Sequence, residues 1–306
     1  MRLHPRAGRY RRLLAGVLLA GCSNTLEVGR DFAASAAGAG GVGASGGSLD
    51  LGGSSGNSAV AGTTSAACQI TTCQGKIYAC GDCVDNDGDG QVDADDVECT
   101  GPCDNTEDSY FGGIPGQNSA SCRQDCYFDQ DSGSGNDRCD WSQTCDPLSL
   151  APSYPPSGDA QCAYDPTATI PGGSGTCASL ALAQDPVCIS TCLPLTPNGC
   201  DCFGCCELPA GSGSFVWLGS TEQGAGSCTQ ETLADPAACH PCTPVKSCFN
   251  ACDPCERCVG RPTPAPSCTS TSGRCEVPGT ECGDPGDLGC ASGYYCITGC
   301  CQAVPK

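Results

Sequence analysis

The sequence predicts small disulfide-rich modules, mostly loops with short strands and short helical turns, and no large hydrophobic core. Three observations carry that expectation. Cysteine supplies 33 of the 306 residues, Leu, Ile, Val and Phe together supply only 43, and 43 glycines and 23 prolines punctuate the chain. So little apolar side chain with a formal net charge of −20 ordinarily marks disorder. A cysteine content above about 8–10% marks a disulfide scaffold instead. The two signals agree if covalent links replace buried hydrocarbon, each bridge contributing about 2–4 kcal/mol, mainly by restricting the unfolded chain. No stretch sustains the 3.6-residue period of a long helix or alternates strands with helices. That excludes a large parallel α/β domain.

Taken in chain order, residues 1–21 read as a leader. Five arginines precede the apolar run 13–20, the layout of a secretory signal, and the run is far shorter than the roughly 20 residues a spanning helix needs. Leu19-Ala20-Gly21-Cys22 resembles the lipobox of bacterial lipoproteins. That resemblance implies cleavage before Cys22 and a diacylglycerol with further acyl lipid, such as palmitate, on this residue. Cysteine parity agrees, because 32 remain once Cys22 is set aside, an even number as closed bridges require. Two acyl chains give stable membrane attachment where one is marginal. Ser23 in place of aspartate implies, by the sorting rules of that family, the outer membrane of a cell envelope, facing the periplasm or the surface.

Residues 22–67 form the lipidated N-terminus and a Gly/Ala/Ser-rich stretch with no other cysteine. Such composition behaves as a flexible tether, spanning about 35–40 Å on average. With the leader gone, nine basic residues face 34 acidic ones, a formal charge of −25. A surface this acidic repels nucleic acid, whose binding requires Lys and Arg against phosphate. Cations are its natural partners.

From Cys68 onward the cysteines fall into even groups: six in 68–103, six in 122–177, six in 188–206, eight in 228–268 and six in 275–301. Each group can close on itself, although eight cysteines alone allow 105 pairings. The expected layout is an acidic Cys-rich module over 68–177, a second Cys-rich module over 178–228, and one or more over 229–306. Residues 178–186 predict a turn or two of helix ended by Pro186, residues 229–236 the same, and residues 214–220 a short strand bearing Trp217.

The chemistry concentrates in "CVDNDGDGQVDADDVEC", residues 83–99. With Asp85 as position one, Asp87 is three, Asp89 five, Gly90 six, Gln91 seven, Asp93 nine and Asp96 twelve, the pattern of a calcium loop. Alternate residues of a tightly curled loop converge on one ion. Gly90 permits the sharp turn, Gln91 contributes its carbonyl, Asp93 acts directly or through water, and Asp96 closes the sphere. Hard oxygen ligands without His or Cys favour Ca²⁺ over zinc or copper. Aspartate at position twelve, shorter than glutamate, predicts weak binding, on the order of 10⁻⁴–10⁻³ M. Flanking cysteines in place of flanking helices make the segment resemble a thrombospondin type 3 repeat more than an EF-hand. The resemblance covers about 25 residues and implies calcium and disulfides jointly ordering a chain with little core. A weaker echo, "FDQDSGSGNDRCD", offers Asp129, Asp131 and Asp137 as further metal candidates.

"CHPCTPVKSCFNACDPCERC" resembles part of a bacterial ferredoxin signature, but the fourth cysteine ligand is missing after Arg261, and disulfides are the expected state. The vicinal pairs of "NGCDCFGCC" and "YYCITGCC" resemble those of small knotted scaffolds, where neighbouring sulfurs bridge in opposite directions. No nucleophile elbow, P-loop or zinc-protease motif is present, and His240 is the one histidine after the leader. The expectation is therefore no catalytic residue and no enzyme. In layout the chain resembles cysteine-rich envelope lipoproteins of gliding soil bacteria. The expected function is a calcium-stabilised binding, adhesion or structural module with a protein or polysaccharide surface partner. An exported enzyme or thiol-redox protein is the alternative.

Overall fold

Sulfur links dominate the architecture. The computed structural model describes residues 68–113, 122–129, 137–148, 162–169, 175–261, 263, 268, 275, 280–283 and 289–305. The leader, Cys22, the tether and Asp131 lie outside the described residues. All 32 cysteines from Cys68 to Cys301 are joined in 16 bridges. The first group closes on itself through Cys68–Cys83, Cys73–Cys103 and Cys80–Cys99. The last does so through Cys275–Cys300, Cys282–Cys296 and Cys290–Cys301. The three central groups instead exchange bridges: Cys126–Cys192, Cys139–Cys188, Cys202–Cys248 and Cys205–Cys242. Even parity is compatible with either arrangement, so counting alone could not separate them.

Regular structure is brief. Among the described residues four antiparallel pairs form: β1 (Arg123–Gln124) with β2 (Trp141–Ser142), β3 (Cys205–Glu207) with β4 (Phe215–Trp217), β5 (Thr221–Glu222) with β6 (Ala225–Gly226), and β7 (Tyr294–Ile297) with β8 (Cys300–Ala303). The expected strand around Trp217 is β4, in register Cys205↔Trp217 and Glu207↔Phe215. Two-residue turns close β5–β6 and β7–β8. Gln223 and Gly224 (φ 54° and 88°) and Thr298 and Gly299 (φ 49° and 77°) supply the paired positive φ that such turns need.

Helix α1 (Cys177–Leu182) starts on a Thr176–Ser179 capping box. Pro186, expected to stop a helix, begins one. In α2 (Pro186–Cys192) the proline occupies the first turn and Asp185 accepts a hydrogen bond from Val187 N. A missing N–H costs nothing at that position, where no helical acceptor exists. The helix expected over 229–236 is a run of turns, with Thr232 N donating to Thr229 O and Asp235 N to Thr232 O.

Among the described residues, three small clusters stand in place of a single core. One gathers Tyr110, Tyr127, Leu208 and Leu218 with four cysteines. In the second, eight of the eleven buried residues are cysteines around Trp141, Phe203 and Val245. The third sets Trp217 among Cys162, Cys205 and Cys242. Successive strand residues face opposite ways, so on β3 Cys205 enters the third cluster and bridges Cys242, while Cys206 enters the first and bridges Cys200. On β8, Cys300 and Cys301 likewise diverge to Cys275 and Cys290. Gly204, at φ 77°, lets the backbone pass against the Tyr127 ring, where a Cβ would come within 2.8 Å.

Buried and partly buried hydrogen bonds fasten the acidic first segment to the C-terminal half of the chain. Tyr295 Oη, on β7, donates to the Cys80 carbonyl at 2.8 Å. Gln230 N donates to Glu98 at 2.8 Å, and Tyr110 Oη donates to Gln230 Oε1 at 2.6 Å.

Candidate metal centre

The aspartates of the acidic loop shape their own backbone. Asp85 accepts from Gly88 N at 2.7 Å and, through its other oxygen, from Gly90 N at 3.1 Å. Asp87 accepts from Asp89 N at 3.0 Å, and Asp89 from Gln91 N and Gln91 Nε2, both at 2.7 Å. Each carboxylate thereby captures an amide two to five residues ahead and curls the chain. Gly88 and Gly90 take φ values of 85° and 97°, the left-handed backbone glycine adopts without penalty. Asp85 is half-buried, while Asp87 and Asp89 are exposed.

The second half of the loop turns inward. Asp93 is buried and accepts from Cys83 N, the nearer oxygen at 3.0 Å. Burial raises its pKa to about 6, and the charges of Glu107 and Asp82 add to the rise. Position nine thus faces Cys83, Asp82 and Glu107. Asp96 faces a different group. It is 3% exposed; one oxygen accepts from Glu98 N at 2.7 Å, and the other, Oδ2, is buried with no hydrogen-bond partner. Burial first, then the Glu98 carboxylate and the charge of Asp89, push Asp96 up to about 8. Glu98 is raised as well, again mainly by burial, with Glu231 and Asp89 contributing.

The charges of Glu98 and Asp89 thus both oppose ionisation of Asp96, and Glu98 acts from outside the twelve-residue frame. A buried carboxylate oxygen with no donor is costly. Beside a second acid it is relieved in one of two ways, by a shared proton or by a cation. The donors are all oxygen, and the nearby cysteines are spent in Cys80–Cys99 and Cys68–Cys83. That chemistry fits a hard divalent ion.

Sequence reasoning missed Glu98 and Glu107. Glu107, 2% exposed, accepts from Asp93 N at 2.9 Å and from Asn86 N at 2.6 Å, tying positions nine and two of the loop together. Neither glutamate falls in the calcium-loop pattern. The available signal for Glu98 was its place directly before Cys99, a bridge partner that sinks the segment into the interior.

The weaker acidic stretch puts Asp129 and Asp137 indoors, at 7% and 0% exposure. It adds Asp125, which the sequence pattern did not single out. The cysteine clusters hold disulfides: Cys239 bridges Cys228, Cys242 bridges Cys205, and Cys252 bridges Cys258. Their sulfurs are thus committed, and His240 sits buried among them with its pKa lowered by burial. Comparison with protein-family models, with curated proteins and with solved structures finds no match for this chain.

Proposed function

We propose that the chain is an exported, lipid-anchored protein of a bacterial envelope whose disulfide-stapled body binds calcium and serves in surface binding, adhesion or structure rather than catalysis. One observation carries the calcium reading: the buried Oδ2 of Asp96 makes no well-formed hydrogen bond, and the Glu98 carboxyl and the charge of Asp89 oppose its ionisation. A divalent ion there would be held by Asp89 and Asp96 of the loop pattern with Glu98 added, while Asp85 and Asp87 complete the exposed side. Asp93 supports the loop through Cys83 N and belongs to its frame. Binding calcium would lock the first module, and with it the contacts from Glu98 to Gln230 and from Cys80 to Tyr295.

The lipobox resemblance at Cys22 supports the anchor, and the flexible composition of 22–67 supports a body held clear of the membrane. The test has two arms. Thermal unfolding of the oxidised full chain should shift upward on adding millimolar calcium and return with chelator. Fractionation of cells expressing the chain should find it in the outer membrane and find Cys22→Ser released. No calcium-dependent shift refutes the ion, and membrane retention of Cys22→Ser refutes the anchor.

A further inference from the structure

A second acidic centre lies apart from the loop. Asp125 follows β1 directly and is 2% exposed. Neither of its buried carboxylate oxygens makes a well-formed hydrogen bond; the Cys126 amide and the Asp137 carboxyl are the polar groups that approach them. Asp137 is fully buried; Oδ1 accepts from Cys139 N at 3.0 Å, and Oδ2 is buried with no partner. Asp129 completes the group, with its backbone carbonyl accepting from Gln74 Nε2 at 2.8 Å. The charges of Asp137 and Asp129 both bear on Asp125.

Neighbouring bridges hold these acids in place. Cys126, next to Asp125, is tied to Cys192, and Cys139, two residues after Asp137, is tied to Cys188. Both partners lie on α2, so the segments carrying Asp125 and Asp137 are clamped to one short helix. Nearby cations have other engagements. Arg123 pairs with Asp140 at 2.8 Å, and the exposed Arg138 faces Asp185 at 3.7 Å. Three acidic side chains gathered in the interior, with three buried oxygens lacking a well-formed hydrogen bond, carry an electrostatic cost that one divalent ion removes.

The geometry points to a second cation site, with Asp125, Asp129 and Asp137 as carboxylate ligands for calcium or an ion of similar hardness. The donors are oxygens only, because Cys126 and Cys139 are already bridged, which disfavours zinc and copper. This site is independent of the acidic loop and does not need the loop to bind anything.

The test is calcium stoichiometry of the oxidised full chain by equilibrium dialysis at millimolar calcium, with disulfide content checked by intact mass. Comparison is with Asp96→Asn, Asp125→Asn and the pair Asp125→Asn/Asp137→Asn. Two ions per chain are expected, with one lost in Asp96→Asn and the other lost in Asp125→Asn. If Asp96→Asn leaves the stoichiometry unchanged while Asp125→Asn lowers it by one, the loop reading fails and this site stands. If the Asp125→Asn/Asp137→Asn chain binds as many ions as the wild type, this site is overturned. Should those variants fail to form their bridges, crystals of the wild-type chain grown in calcium decide: an ion among the three carboxylates supports the site, and a hydrogen-bonded acid pair without one overturns it.

Discussion

Glu107 accepts from the backbone of Asp93 at 2.9 Å while its second oxygen accepts from Asn86 at 2.6 Å. One buried side chain thus spans the acidic loop from its second position to its ninth. This carboxylate shapes the loop from outside the twelve-residue pattern. Glu107→Ala strands both amides and should destabilise the oxidised chain by about 1–3 kcal/mol for each. Glu107→Gln, which retains one acceptor, should cost about half as much. Denaturant melts of the two variants check the order; equal and negligible losses would show that the loop closes without Glu107.

Calcium should stabilise by mass action. At a free concentration of 100 times Kd the gain is about 2.7 kcal/mol for one site. Asp96→Asn should retain most of the calcium-free stability, since it removes a charge that burial opposes, while losing the calcium-dependent gain. Melting curves with calcium and with chelator measure both quantities.

Acid should strengthen the calcium-free protein. Asp104 and Asp201 are fully buried, and burial raises each to about 7 from the ordinary 3.8, despite donors from Thr100 and Thr106 on Asp104 and from Phe203, Cys205 and Val245 on Asp201. The folded state therefore holds protons that the unfolded state has released between about pH 4 and pH 7. The stability contribution is full below the unfolded pKa and is lost as pH rises through the folded pKa. In chelator, the melting temperature should fall from pH 5 to pH 8, and Asp201→Asn should flatten that slope. A slope of the opposite sign would contradict the burial of these carboxyls.

The Cys205–Cys242 bridge should matter beyond its loop entropy. It closes a separation of 37 residues and lies beside Trp217 in the smallest core cluster. Replacing both cysteines by serine should cost about 2–5 kcal/mol and shift Trp217 emission to longer wavelength as water enters. Unchanged emission would mean that β3–β4 pairing alone buries the ring.

Much of the architecture was legible from residue types. Cysteine abundance and the dearth of aliphatic residues led to short elements, small clusters and opposed vicinal bridges, and the apolar "SFVWLGS" led to β4. Pairing across the central groups was not legible, because the contacts that bring Cys126 to Cys192 are tertiary and leave no periodic trace. Pro186 misled because the same ring that ends one helix suits the first turn of the next. The turns at 223–224 and 298–299 carry a single glycine each, and the second positive φ falls on Gln223 and Thr298, residues that seldom announce it. At the candidate site, spacing pointed to the loop carboxylates, but Glu98, Glu107 and Asp125 become relevant only through burial.

The most direct measurement is calorimetric titration of calcium into the fully oxidised chain near neutral pH, beside Asp96→Asn. Saturable heat at submillimolar to millimolar calcium is expected, with the loss of one binding step in the variant. Absence of heat throughout that range, or an unaltered isotherm in Asp96→Asn, would contradict calcium binding by the loop.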